Sequence, residues 1–131
     1  MIKNTLISVI PHEQQEYETC GNYKYVKELN TNIFTISDTG NDDYNFLIKI
    51  HEIIEEHLTR RVGIEEKDIL EFDLLFEKER EEGLHSDTDE CGDDDRAIYK
   101  KQHQFATKIE QMLCDEMNLF WGDYEKIIYE M

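Results

Sequence analysis

The chain has only three cysteines among its 131 residues, and no two of them form a CxxC pair. A zinc knuckle and a thioredoxin-like motif both need such a pair, so both are excluded. Cys20, Cys91 and Cys114 are odd in number and far apart in the sequence. A sparse, odd count is typical of a reducing compartment rather than of a disulfide framework.

Long apolar segments are missing as well. No stretch approaches the roughly 18 apolar residues of a membrane-spanning helix. Residues 1–5 contain one lysine, but no apolar run of signal-peptide length follows them. We therefore expect a soluble, intracellular protein that does not act at a membrane.

Positive charge is scarce. Lysine and arginine together number 14 against 31 acidic residues, which gives a formal net charge of -17. Such a surface repels nucleic acid phosphates and anionic membranes. It favours metal ions or a basic protein surface as partners, although solubility alone is the simplest explanation of the charge. A glycine-rich phosphate loop and a serine nucleophile elbow are also absent.

The first third of the chain is rich in β-branched and aromatic residues. Three runs, at 5–10, 23–26 and 32–37, predict strands. We expect these strands to form a small antiparallel sheet within a β-rich region, 1–40. Three strands with one face against helices are enough for stability.

The remainder of the chain, 41–131, has helical periodicity. Helices are predicted over 42–61, 65–82, 96–117 and 121–130. An acidic loop, 84–95, separates the second helix from the third and is expected to be either partly disordered or a surface lid. Because no repeat or linker divides the sequence, the prediction is one α+β domain over 1–131.

Polar residues lie on the apolar stripes of three predicted helices. His51 and Glu55 share a face of the first helix, because they are four residues apart. Asp73 lies on the stripe of the second helix, and the third helix carries His103 and Glu110. Charged groups that face a core need a partner, since an unpaired buried charge costs roughly several kcal/mol or more.

A divalent metal ion is one such partner. Two imidazoles with two or three carboxylates form a mixed nitrogen and oxygen site that suits zinc or manganese, and also iron or nickel. We therefore predict a metal site formed by His51, Glu55 and His103, with Glu110 or Asp73 as the fourth ligand or just outside it. Glu52, beside His51, is the candidate general base for a metal-bound water.

Each of these residues also has a structural explanation. His51 and Glu55 could pair only with each other along the helix, and His103 could be a hydrogen-bonded core histidine. Glu110 could lie in solvent at the edge of its stripe. Asp73 could cap a helix or form an ion pair with an arginine, namely Arg60, Arg61 or Arg96.

A series of short motifs runs through nearly the whole chain. In order, they are Val9–Tyr17, Thr19–Tyr23, Ile36–Asp38, His51–Glu55, Phe72–Asp73, Gly92–Asp93, Tyr99, His103, Ala106, Glu110, Trp121 and Tyr124. In these motifs and their order the chain resembles a family of small, uncharacterised proteins encoded by tailed bacteriophages and prophages. The resemblance implies a phage gene product in the cytoplasm of an infected bacterial host, and it implies no particular activity.

A second resemblance is local and covers about residues 32–60. A strand, a short turn and a helix bearing His-Glu-x-x resemble the core of minimal zinc metallopeptidases, including those encoded beside phage repressors. In that group the first histidine and the residue four positions later bind zinc, and the intervening glutamate is the base. The resemblance implies these roles for His51, Glu55 and Glu52, with Glu55 where those enzymes have histidine.

The leading functional hypothesis is a phage-encoded protein with a zincin-like core that binds zinc or manganese and, if catalytic, acts as a metal-dependent hydrolase. The alternative is a non-enzymatic acidic phage protein that binds a basic surface of a host or phage protein. A third interpretation compares four carboxylates with the magnesium ligands of all-α nucleotide pyrophosphatases, and the predicted sheet argues against it. These carboxylates are Glu52, Glu55, Glu56 and Asp73.

Overall fold

Three strands precede four helices in the computed structural model, which describes residues 1–131. The strands are β1 (Asn4–Ile10), β2 (Gly21–Val26) and β3 (Thr31–Ser37). All three coincide with the β-branched and aromatic runs, so the α+β prediction is confirmed. Short 3-10 turns at His12–Gln14 and Lys27–Leu29 precede β2 and β3.

The strand order in the sheet is β1-β3-β2, which places β3 in the centre. β2 and β3 pair antiparallel, whereas β1 and β3 pair parallel, with Leu6 opposite Ile33. The expectation of an antiparallel sheet is therefore wrong for β1. The chain reverses direction after β1 and again after β2, so β1 and β3 run the same way. Because β2 lies on the far side of β3, β1 and β3 are neighbours and pair directly. Residue composition predicts a strand but not the direction of its neighbour.

The helices are α1 (Asp42–Arg61), α2 (Glu66–Glu81), α3 (Lys100–Glu116) and α4 (Trp121–Tyr129). None of them is both long and apolar enough to cross a membrane. α1 begins where predicted because the Asn41 side chain accepts a hydrogen bond from the backbone N–H of Tyr44, at 3.1 Å. Such N-caps satisfy an otherwise unpaired donor in the first helical turn.

α3 begins four residues later than its sequence pattern predicted. The backbone before it forms a turn in which the N–H of Ala97 donates to the carbonyl of Asp94. The Asp94 carboxylate also accepts from the backbone N–H of Arg96, at 2.9 Å. The acidic loop ends in these turns and contains one short 3-10 turn, Cys91–Asp93.

α1 packs against β3 on one side and against α3 on another. A buried apolar cluster joins the sheet to α1, α3 and α4, and its members are Ile36, Leu47, Ile48, Cys114 and Tyr124. A second cluster joins α2 to the segment that precedes α3, through Ile69, Ala97 and Tyr99. The polar residues on the stripes of α1 and α3 therefore meet between the two helices.

Candidate metal centre

Three side chains from α1 and α3 converge on one point. Nε2 of His51 lies 3.0 Å from Oε2 of Glu55, and Nδ1 of His103 lies 3.0 Å from the same oxygen. The two ring nitrogens are 3.2 Å apart. Each residue is buried, with 6 or 7% of its surface exposed. The structure thus brings together three of the predicted site residues, His51, Glu55 and His103, and we refer to these three residues as the inner triangle.

The local backbone accounts for the inner triangle. The four-residue spacing of His51 and Glu55 puts both side chains on the side of α1 that faces α3. His103 lies one turn before Ala106, which is fully buried and follows it on the same stripe of α3. The two imidazole rings meet edge to face, with centroids 4.8 Å apart.

Glu110 lies next to the inner triangle and not within it. Its Oε1 contacts Nδ1 of His51, the ring nitrogen that faces away from His103. Its other oxygen accepts a hydrogen bond from the Tyr124 hydroxyl, at 2.7 Å. Glu110 is 7% exposed, so the alternative of a solvent-facing residue is wrong. A carboxylate in this place fixes the orientation of a metal-binding histidine.

Tyr23 supports Glu55 in a similar way. Its hydroxyl donates to Oε1 of Glu55 at 3.1 Å, which leaves Oε2 free to face the two imidazoles. Tyr23 lies on β2, so the sheet also contributes to the centre. Neither this hydroxyl nor that of Tyr124 was predicted, because their partners lie 32 and 14 residues away in the sequence.

The charges of the inner triangle depend on each other. Burial opposes a charge on His51, but hydrogen bonds to Glu110 and Glu55 outweigh it and raise the pKa of His51 well above its ordinary value. Burial likewise opposes a charge on His103, whose pKa is raised to about 10, mainly by Glu55. The two imidazoles in turn lower the pKa of Glu55 to about 2 against the effect of its burial. In the metal-free centre each imidazole therefore lies against carboxylates that favour its protonated form, Glu110 and Glu55 for His51 and Glu55 for His103.

Glu52 lines the same cleft as the inner triangle. Burial, followed by the charge of Glu55, raises the pKa of Glu52 to about 8. The side chain packs closely over Gly21, where an added Cβ would lie only 2.5 Å from Oε1 of Glu52. The absence of a side chain at Gly21 therefore leaves the space that Glu52 occupies beside the centre. The role of Glu52 as a base stays a prediction.

Asp73 is buried in α2 but does not join the inner triangle. Its carboxylate accepts hydrogen bonds from the hydroxyls of Tyr17, at 3.1 Å, and of Tyr99. Burial raises its pKa to about 6 although the tyrosine hydroxyls lower it. Asp73 is thus paired with tyrosines, neither with an arginine nor with the histidines.

Glu56 faces a different side of α1 from Glu55. Its Oε1 accepts from Nδ2 of Asn32 at 2.7 Å and from Nε of Arg60 at 2.6 Å. It does not line the cleft, whereas Glu52, Glu55 and Asp73 do. The four carboxylates compared with a pyrophosphatase site are therefore not gathered in one place.

The cleft around the inner triangle has a volume of about 780 Å³. Arg80 is the one arginine that lines it, there is no lysine, and Arg80 is already paired with Glu77 at 3.0 Å. The carboxylate residues of the lining are Glu18, Glu52, Glu55, Asp73, Glu77, Asp87, Asp89, Glu90, Asp93, Glu110 and Glu125. The lining of the cleft therefore contains far more acidic than basic side chains, which favours cations over anions.

No known protein family, curated protein or solved structure matches this chain. The resemblances to tailed-phage proteins and to minimal zinc metallopeptidases therefore stay predictions, as does the zincin-like character of the core. Function has to be argued from the centre itself.

Proposed function

We propose that the protein binds one divalent metal ion, zinc or manganese, through the inner triangle. The ligand atoms are Nε2 of His51, Oε2 of Glu55 and Nδ1 of His103. The observation that supports this most is their mutual spacing of 3.0 to 3.2 Å. Ligands bound at about 2.0–2.2 Å around a tetrahedral ion lie roughly 3.3–3.6 Å apart, so the three atoms need to move apart by only a few tenths of an ångström to hold one.

A metal ion also suits the chemistry of these residues better than protons do. Without an ion, Oε2 of Glu55 and the two ring nitrogens lie 3.0 to 3.2 Å apart and are bridged only by protons. A divalent cation would replace those protons and give all three atoms a common partner. Two imidazoles and one carboxylate also form the ligand set of several catalytic zinc and iron sites.

His51, Glu55 and His103 would hold the ion, and the chemistry that the ion would supply is a water nucleophile at neutral pH. Glu52, which lines the same cleft, is the candidate base. The positive charge of the ion would offset the burial that raises the pKa of Glu52 to about 8 and so ionise this carboxyl group. The proposed reaction class is metal-dependent hydrolysis, as the resemblance to minimal metallopeptidases also implies.

The lining of the cleft suggests the charge of the substrate. Eleven carboxylate residues and one paired arginine favour a cationic substrate, such as a basic peptide, over a phosphate ester. The site of action in this proposal is the cytoplasm of a bacterium infected by the phage that encodes the protein.

A second candidate function needs no metal. Exposed acids on the acidic loop, including Asp87, Asp89 and Asp93, border the cleft and favour a basic host or phage protein as the partner. Such binding would weaken steeply as the salt concentration rises, because exposed charges are screened. Binding that is insensitive to salt would contradict it.

Thermal unfolding with and without metal tests the primary proposal. We expect zinc or manganese to raise the melting temperature and EDTA to reverse the rise, since an ion that binds only the folded state stabilises it. The rise should be clearly smaller in His51→Ala and persist in full in His57→Ala, because His57 is an exposed histidine on the same helix. No response of the unsubstituted protein to either metal would contradict metal binding.

A further inference from the structure

We propose that Glu90, Asp93 and Nε2 of His103 form a second divalent-cation site at the mouth of the cleft. We call it the outer site. It goes beyond the function proposed above and shares only His103 with the inner triangle. The ligand class is a hard or borderline divalent ion, because the donors are two carboxylates and one imidazole nitrogen.

The unpaired nitrogen of His103 is the first evidence. His103 is 7% exposed, and its Nε2 is buried without a hydrogen-bond partner. A buried polar atom left unpaired costs about 1–3 kcal/mol. Most buried polar atoms in folded proteins are hydrogen-bonded, whereas this nitrogen has carboxylates only at ion-pair distance, so no hydrogen bond competes with an ion for it.

The two carboxylates in front of this nitrogen are the second evidence. Oδ1 of Asp93 lies 3.7 Å from Nε2 of His103, and Oε2 of Glu90 lies 3.8 Å from it. These distances are too long for hydrogen bonds. They suit ligands on different sides of one ion, because bonds of about 2.0–2.6 Å place such ligands roughly 3–4 Å apart. The three atoms lie within 4.8 Å of one another.

The acidic loop holds both carboxylates against the ring. Gly92, which lies between Cys91 and Asp93, is buried against His103 so closely that an added Cβ would overlap the imidazole. From the other side, Arg80 donates to the backbone carbonyls of Ser86 and, at 2.7 Å, of Asp89. The loop therefore presents its carboxylates in a fixed place.

The shared ring makes the two sites alternatives. A neutral imidazole has one nitrogen with a free lone pair and one that carries a proton. When an ion binds Nε2 of His103, Nδ1 keeps its proton and donates to Glu55, across the observed 3.0 Å. When an ion binds Nδ1, Nε2 carries the proton and faces Glu90 and Asp93. The chain then binds one ion at a time.

The exposure of the proposed ligands indicates which of the two sites an ion reaches first. Asp93 is exposed and Glu90 is half-buried, whereas His51 and Glu55 are buried. An incoming ion therefore meets the outer site first and reaches the inner triangle when the proton of His103 moves from Nδ1 to Nε2. The outer site is a capture site for the ion that the inner triangle holds.

Manganese titration by calorimetry tests the outer site on four forms of the full chain. The forms are the unsubstituted protein, His51→Ala, the pair Glu90→Gln with Asp93→Asn, and all three changes together. We expect about one ion per chain for the first three forms, with His51→Ala binding roughly tenfold or more weakly. The triple variant should bind none. Asp95→Asn is the matched control, because Asp95 is an exposed acid of the same loop paired with Lys100.

The outcomes separate the two sites. Loss of all binding in His51→Ala, or binding that survives in the triple variant, overturns the outer site. Two ions on the unsubstituted protein overturn the sharing of His103. Binding that disappears with the Glu90 and Asp93 changes yet is unaltered in His51→Ala supports the outer site and contradicts the inner one. Circular dichroism checks folding, and Glu55→Gln serves as a second inner variant.

Discussion

Two neighbouring glutamates on α1 are equally buried and have different surroundings. Glu56 is 5% exposed and receives hydrogen bonds from Arg60 and from Asn32. Glu55 is 6% exposed and faces two imidazoles and one tyrosine hydroxyl. Glu56 is thus paired with a side chain that is always positively charged. Glu55, on another side of α1, is paired with imidazoles that can gain or lose a proton.

The difference shows why burial alone does not mark a functional carboxylate. The guanidinium of Arg60 stays protonated at any physiological pH, so no metal ion can take the place of its proton. The imidazoles beside Glu55 can give up their protons and become metal ligands. This contrast supports a structural role for Glu56 and the metal-binding role that we propose for Glu55.

Exchanging each glutamate for glutamine gives the strongest test of this contrast. Glu55→Gln removes the charged ligand of the inner triangle, so we expect the affinity of that site for manganese to fall roughly 1,000-fold. Glu56→Gln should leave the affinity within a factor of about two, because Glu56 lies outside the cleft. Titration calorimetry measures both when each variant also carries Glu90→Gln and Asp93→Asn, which remove the outer site, and equal losses would contradict the contrast.

Asp73 differs from both glutamates, because its carboxylate accepts hydrogen bonds from two tyrosine hydroxyls and has no arginine or histidine partner. Burial raises its pKa to about 6, above the ordinary value of 3.8, so the folded state binds this proton more tightly than the unfolded state. The contribution of Asp73 to stability is full below about pH 4 and is lost as the pH rises through 6. Between those values we expect the unsubstituted protein to lose up to about 3 kcal/mol relative to Asp73→Asn.

Urea unfolding of both proteins at several pH values measures this difference. Parallel stability curves for the two proteins would show that Asp73 titrates normally in the folded state.

Arg60→Met should separate stability from metal binding. It leaves Glu56 buried without its cation, and because the Arg60 side chain is 46% exposed we expect a loss of about 2 kcal/mol rather than the larger cost of a fully buried pair. Manganese affinity should not change. Urea unfolding together with calorimetry checks both parts, and a matching loss of affinity would show that the two sides of α1 are coupled.

Glu110→Gln should weaken metal binding much less than Glu55→Gln does. Glu110 touches the proposed metal ligand His51 and not the proposed ion, so we expect a roughly tenfold loss. Tyr124→Phe, which removes only the hydroxyl that donates to Glu110, should cost less than that. A loss from Glu110→Gln as large as that from Glu55→Gln would place Glu110 among the ligands.

Secondary structure was largely predictable from the sequence because its signals are local. The strand runs and the helical stripes are visible within a few turns of chain, and the cap at Asn41 places the start of α1. The parallel pairing of β1 with β3 was not predictable, because it depends on where β2 lies in the sheet. The late start of α3 comes from side-chain hydrogen bonds of Asp94 that compete with a helix.

The candidate site was predictable only in part. His51, Glu55 and His103 stand out because helical periodicity turns polar residues toward a core. Tyr23 and Tyr124 carry no such signal, since a tyrosine that supports a carboxylate resembles any aromatic core residue. Nothing in the sequence distinguishes the acids of the loop from other surface acids, because their position depends on the packing of Gly92 against His103.

Elemental analysis of protein purified without a chelator or a histidine tag is the most direct test of the metal centre. We expect about one zinc or manganese ion per chain in the unsubstituted protein and in His57→Ala, and a clear reduction in Glu55→Gln. Protein that contains no metal, and takes up none after incubation with zinc or manganese, would contradict the central claim. His51, Glu55 and His103 would then be a hydrogen-bonded core cluster, and the acidic surface would be the remaining candidate for function.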